Sequence, residues 1–161
     1  MAGLGLLILR LTLAAIFAAH GAHELFGVGA GPGIGPGGLS NTASLYASSG
    51  LHPEYVLALA AGLIHLAGAF FLIIGMLTRW AVIALIADVA IGAWKVHLPW
   101  GFFMNWSGTA GQGHGLEYSL LLIAGLVCLL FTGAGDWSFD GRRANSAAAR
   151  AAGRARLRGN M

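Results

Sequence analysis

"LGLLILRLTLAAIFAAHGAHELF", residues 4–26, decides the fold. A run of this length, rising about 1.5 Å per residue in a helix, is long enough to cross the roughly 30 Å hydrocarbon core of a bilayer. Its interior carries one charge, Arg10, and it closes on His20, His23 and Glu24. A cleaved signal peptide has a basic segment ahead of an uninterrupted apolar core. Here the arginine lies inside, so the run reads as a retained span.

Three more windows share this character, at about 55–77, 80–97 and 116–134. The expected fold is all-α, an integral membrane four-helix bundle over residues 1–141 with a basic tail over 142–161. Composition agrees. The 161 residues are 57% hydrophobic and only 9% charged, against about 25% charged in a soluble domain. The net charge of +3 belongs to the tail, which holds six of the nine basic residues. Residues 1–141 carry Arg10, Arg79 and Lys95 against all six acidic residues. A nucleic-acid-binding face needs basic residues spread over a folded surface, and this pattern excludes it. Cys128 is the one cysteine; it reads as a packing residue, with no partner for a disulfide.

Lysine and arginine gather on the cytoplasmic side of a membrane protein. With four spans, both termini and the turn at Thr78–Arg79 share one side, so both termini are expected in the cytoplasm. On the outer side, residues 27–40 are too rich in Gly and Pro for a helix. Asn41 or Thr42 then starts a short helix running to about Ser49. The second outer connection, 98–115, carries Trp100, Phe102, Phe103 and Trp106. It reads as an aromatic hairpin in the membrane interface, or a lid over a cavity. In the tail, Arg150, Arg154 and Arg158 fall on one face if the segment is helical, which would suit an anionic lipid surface.

Ionisable residues within a span are costly, and usually turn inward, pair or serve function. At 100° per residue, Arg10, His20 and Glu24 share a face of the first span, and His23 points away. On the second, His65 is flanked by Gly62, Gly68 and Ala69, small residues that allow close helix contact. Ala84, Asp88, Gly92 and Lys95 line up on the third. His114 and Glu117 head a stripe through Leu121, Ala124 and Cys128 on the fourth. Shared depth predicts a structural ion pair between Arg10 and Asp88. His20, Glu24, His65, His97, His114 and Glu117 are the candidates for a ligand pocket that opens outward. A quinone held by imidazole and carboxylate hydrogen bonds suits such a pocket best. Haem between two histidines is a weaker candidate, and no dense metal-ligand motif is present, so no metal site is assigned. No dinucleotide motif or catalytic nucleophile stands out.

Taken in order, several motifs resemble the DoxX family of small four-span bacterial membrane proteins. They are Arg10 followed by "HG" at His20 and "LFG", "GLHP" before the second span, and "LAGAFFLIIGMLTRW". "HLPWGFF", "GLEYSLLL" and "GAGDWSFD" follow. The resemblance implies an inner-membrane protein that serves membrane redox chemistry, quinone-linked or oxidative-stress related, as a subunit beside soluble redox enzymes or as a homo-oligomer. Family members have been linked to thiosulfate oxidation with quinone as acceptor, and to complexes with superoxide dismutase and a sulfurtransferase. Distant relatives act as chaperones or cargo receptors, so an assembly or anchoring protein is the alternative. Two positions depart from the family pattern: many members carry Lys where Glu24 stands and Glu where His65 stands. The exchange implies that the two positions sense each other electrostatically. Eight residues of depth, about 12 Å, argue against direct contact.

Overall fold

A computed structural model describes residues 2–30 and 35–159; the side chains of residues 2, 154–156, 158 and 159 lie outside the description. Part of the Gly- and Pro-rich loop and the side chains of Arg154 and Arg158 therefore fall outside it. Every element among the described residues is a helix: α1 Ala2–Phe26, α2 Leu39–Ser48, α3 Glu54–Ile74, α4 Thr78–Gly92, α5 Glu117–Thr132 and α6 Phe139–Gly159. Helix α4 runs on through a π-helical turn, Ala93–His97, and a 3-10 turn, Leu98–Trp100.

Three helices are long and apolar enough to cross a membrane: 3–26, 54–74 and 78–100. The fourth expected span, 116–134, is shorter. Helix α5 has 16 residues, about 24 Å of rise. Packing closes a ring in which α1 lies against α3, α3 against α4, α4 against α5, and α5 against α1. Leu13, Ala14, Phe17, Leu72, Val82, Leu85, Leu126 and Leu129 fill its centre. The outward faces are equally apolar, with Leu59, Phe70, Ile83, Leu121 and Phe131 exposed. Helices apolar all round belong in lipid.

That symmetry of composition explains a departure from the expected face of α5. Leu121, Ala124 and Cys128 point outward, and α5 turns Ser119, Leu122, Leu126 and Leu129 inward instead. Hydropathy cannot separate a lipid-facing stripe from a core-facing one when both are apolar.

Glycines set the closest helix approaches. A Cβ on Gly21 of α1 would meet the Gly62 carbonyl oxygen of α3 at 2.9 Å, and one on Gly62 would meet Leu25 Cγ at 2.5 Å. Gly68 receives Leu85 of α4. At the end of α3, Gly75 adopts φ +68, and the Arg10 guanidinium packs where its Cβ would stand, 2.7 Å away.

Arg10 is 1% exposed, and it does not pair with Asp88. Its two terminal nitrogens donate to the carbonyls of Ala134, at 2.6 Å, and Trp137, at 2.8 Å, in the α5–α6 connection. Asp140 accepts from the backbone N–H groups of Leu77 and Thr78 at the start of α4. The end of the bundle that carries the termini is thus laced together by Arg10 and Asp140.

Candidate functional site

The position of Arg10 fixes the register of α1 against α3. Arg10 lies level with Gly75, so ten residues further along each antiparallel helix His20 faces His65. Glu24 is then one turn, about 6 Å, above that level. Helical side chains lean toward their own N-terminus, so Glu24 leans down toward His65 and His65 leans up toward Glu24. The result corrects the expectation of separation: His65 Nδ1 lies 2.8 Å from Glu24 Oε2. On its other side, His65 Nε2 lies 2.9 Å from Asp88 Oδ2 of α4. Asp88 bonds the imidazole rather than Arg10.

One buried imidazole therefore joins three helices. Its two hydrogen bonds to carboxylates need two protons. Either both sit on the ring between ionised carboxylates, or one has crossed to a carboxyl group and the ring is neutral. Both arrangements carry a net charge of −1, so moving a proton along Glu24–His65–Asp88 separates no further charge. A proton that leaves at one end must be matched by one taken up at the other, or one of the two hydrogen bonds is lost.

The cluster lies on a cavity of about 190 Å³, lined also by Phe17, His20, Tyr46, His97, Tyr118 and Ser119. Helix α2 closes it through Leu45 and Tyr46. It is anchored by Thr42, whose hydroxyl donates to the Glu24 carbonyl at 3.0 Å, and by Gly38 N–H, 2.7 Å from the His23 carbonyl. His23, off the polar face as expected, bonds the following loop through Val28 O. Burial, and then the nearby Asp88 and Glu24 charges, push the Tyr46 phenol up, so it remains a proton donor at neutral pH. His20 Nδ1 donates to the Ile16 carbonyl at 2.9 Å. That leaves Nε2 of the neutral ring as an acceptor. The His20 ring lies edge-on to His65, centroids 6.3 Å apart, and stacks beside Tyr118 at 6.4 Å.

Four of the six candidate residues, His20, Glu24, His65 and His97, thus line one cavity. His114 and Glu117 do not. Glu117 accepts from Met104 N–H and Trp106 Nε1 of the hairpin, and His114 Nδ1 accepts from Asn105 N–H. Both hold the hairpin shut against the start of α5. His97 Nδ1 donates to the His114 carbonyl, linking the hairpin to the cavity rim. Lys95 also leaves the expected stripe. The π turn winds wider than an α turn and rotates the residues after Gly92, so Ala93, Val96 and His97 line the cavity. Lys95 lies over the Trp94 ring, 4.4 Å from its centroid. Phe102, Phe103 and Trp106 are exposed, as an interfacial belt requires.

Tyr46, Tyr118 and Ser119 were absent from the sequence candidates. Tyr46 lies outside every span, and Tyr118 and Ser119 carry no charge to mark them. The "EYS" at the head of α5 held a usable signal, since its cavity-facing residues are the two that follow Glu117.

An all-helical membrane protein with a charged cluster bridging three helices is the class this architecture defines. The chain belongs to the DoxX family, whose profile matches residues 5–98. It is 33% identical over 91 residues to an uncharacterized membrane protein of Mycobacterium tuberculosis, a match covering 55% of this chain and 56% of that protein. The chain thus spans little more than half the length of that relative. No solved structure matches it.

Proposed function

We propose that this protein is a membrane component of a redox system in the bacterial inner membrane, and that its cavity binds the ring of a quinone. The carrying observation is the His65 imidazole held between Glu24 and Asp88 on the wall of a cavity that also offers a donor and an acceptor. A quinone supplies two-electron chemistry coupled to two protons. A ring carbonyl needs a donor, which Tyr46 provides, and a ring hydroxyl needs an acceptor, which His20 Nε2 provides. The Glu24–His65–Asp88 cluster holds an exchangeable proton beside them. At about 190 Å³ the cavity is below the usual 300–1,000 Å³ of drug-sized sites. That size favours a single ring, with any isoprenoid chain left in lipid. The positive residues at the termini end support a cytoplasmic position for both termini, with the cavity then opening toward the outer side.

The test is lipid extraction from protein purified in mild detergent, together with titration by a short-chain benzoquinone. Saturable binding that weakens about tenfold in His20→Ala and in Tyr46→Phe supports the reading. Absence of both co-purified quinone and saturable binding defeats it. An assembly or anchoring protein is the second reading. It draws on α6, where Arg142, Arg143 and Arg150 are all exposed. Soluble enzymes co-purifying with a quinone-free protein would favour it.

A further inference from the structure

A second cleft opens at the other end of the bundle, where the termini lie. It encloses about 530 Å³ between the α3–α4 turn and the first turns of α6, floored by the α5–α6 connection. Leu77, Thr78, Arg79 and Trp80 form one wall, and Asp136, Asp140 and Asn145 contribute from the others. Its volume lies within the ordinary range for small-molecule sites. It shares no residue with the cavity around His65.

We propose that this cleft seats the phosphoethanolamine headgroup of a membrane lipid. Three observations converge on that chemistry. First, the cleft carries both signs of charge. Arg79 presents a guanidinium, the group best shaped to grip a phosphate through two hydrogen bonds. Asp136 also lines the cleft and is exposed. Asp140 is already committed to the backbone N–H groups of Leu77 and Thr78. A purely anionic headgroup would meet Asp136 as a like charge, whereas a primary ammonium would donate hydrogen bonds to it. Second, Thr78 lines the cleft, is 1% exposed, and its hydroxyl has no partner among the described residues. A buried hydroxyl without a partner is destabilising, and a phosphate oxygen that reached it as the cleft wall adjusted would remove that cost. Third, the cleft lies where headgroups are found. Trp80, on its wall, and Trp137, next to Asp136, are 73% and 68% exposed at the ends of the apolar helices, the arrangement of an interfacial aromatic belt.

The experiment uses the full-length protein in detergent, titrated with short-chain phosphatidylethanolamine, phosphatidylcholine, phosphatidylglycerol and free phosphoethanolamine, and read by tryptophan fluorescence and native mass spectrometry. Phosphatidylethanolamine should bind saturably, about tenfold tighter than the other two lipids, because only it joins a phosphate to a primary ammonium. Arg79→Gln should weaken it by about tenfold, and Asp136→Asn should erase the preference over phosphatidylcholine. Both side chains are exposed, so the variants should fold. An unchanged melting temperature checks this, and Asn145→Ala, at the opposite wall, gives a second weakening if either variant is lost. Equal binding of all three lipids overturns the proposal, as does full affinity in Arg79→Gln. Free phosphoethanolamine binding as tightly as the lipid also overturns it, by making the ligand a soluble metabolite.

Discussion

At His65 the chemistry of a single side chain holds three helices together. His65→Leu would strip both carboxylates of their shared donor and leave two negative charges facing each other across a leucine. Breaking a buried pair from one side costs about 3–5 kcal/mol, whereas replacing the whole set by apolar residues is often neutral. The single change should therefore lower the melting temperature in detergent more than Glu24→Leu, His65→Leu and Asp88→Leu combined. If the triple variant is the less stable, the cluster contributes net stability and its polarity is not kept for function alone. Arg10 gives a separate test. It bonds two carbonyls through different nitrogens, a task lysine cannot match with one ammonium. Arg10→Lys should cost about 1–3 kcal/mol. Arg10 and Asp88 share no partner, so losses from Arg10→Gln and Asp88→Asn should add within about 0.5 kcal/mol. A double-mutant cycle with larger coupling would show that the two communicate.

Among the elements, α1 and α3 form the closest pair, and the glycines that admit that approach define what can change. Gly21→Val would drive a branched side chain into the Gly62 carbonyl, a backbone atom that cannot step aside. It should destabilise by about 1–3 kcal/mol. Gly5→Ala, with nothing within 4 Å of the new Cβ, should be neutral or gain stability from helix propensity. Thermal unfolding of the two variants side by side checks the contrast, and equal losses would contradict the packing. The same pair shows what sequence could and could not deliver. Length and hydropathy were enough to place the helices to within a few residues. The small residues around His65 correctly marked a contact face, because only a missing side chain lets backbones meet. Register was not legible. Counting depth from span ends put Glu24 about 12 Å from His65, and an arginine seated against Gly75 slid α1 into contact with it. The π turn was equally hidden, since no residue type encodes one extra residue in a turn. Lys95 therefore left a stripe that simple helical geometry assigned to it.

Across the whole molecule, topology and the domain boundary are the open mechanical questions. Seven of the eight basic residues that the expected topology places outside the membrane core, Arg79 and the six tail arginines, lie at the termini end. A reporter fused after Met161 should be active in the cytoplasm, and one within residues 27–40 outside it. Swapped activities would invert the proposed orientation. The boundary has a sharper signature. Composition puts the end of the membrane domain near residue 141, and the start of α6 up to that point packs into the bundle. Asp140 caps the start of α4 through Leu77 and Thr78, and its own N–H donates to the Gly75 carbonyl at 2.9 Å. Ser138 holds the turn by accepting from Gly141 N–H and donating to the Gly135 carbonyl. From Arg142 to Arg150 every residue is exposed. Ending the chain after Asn145 should therefore leave the melting temperature close to that of the full-length protein. Ending it after Trp137 removes the cap as well, and loss of an N-cap costs about 0.5–2 kcal/mol. It also strips Ser138 from the site where Arg10 packs, so the shorter chain should melt several degrees lower. Equal stability of the two truncations would mean that the α4 cap contributes nothing. A collapse of the longer one would place the basic helix inside the fold.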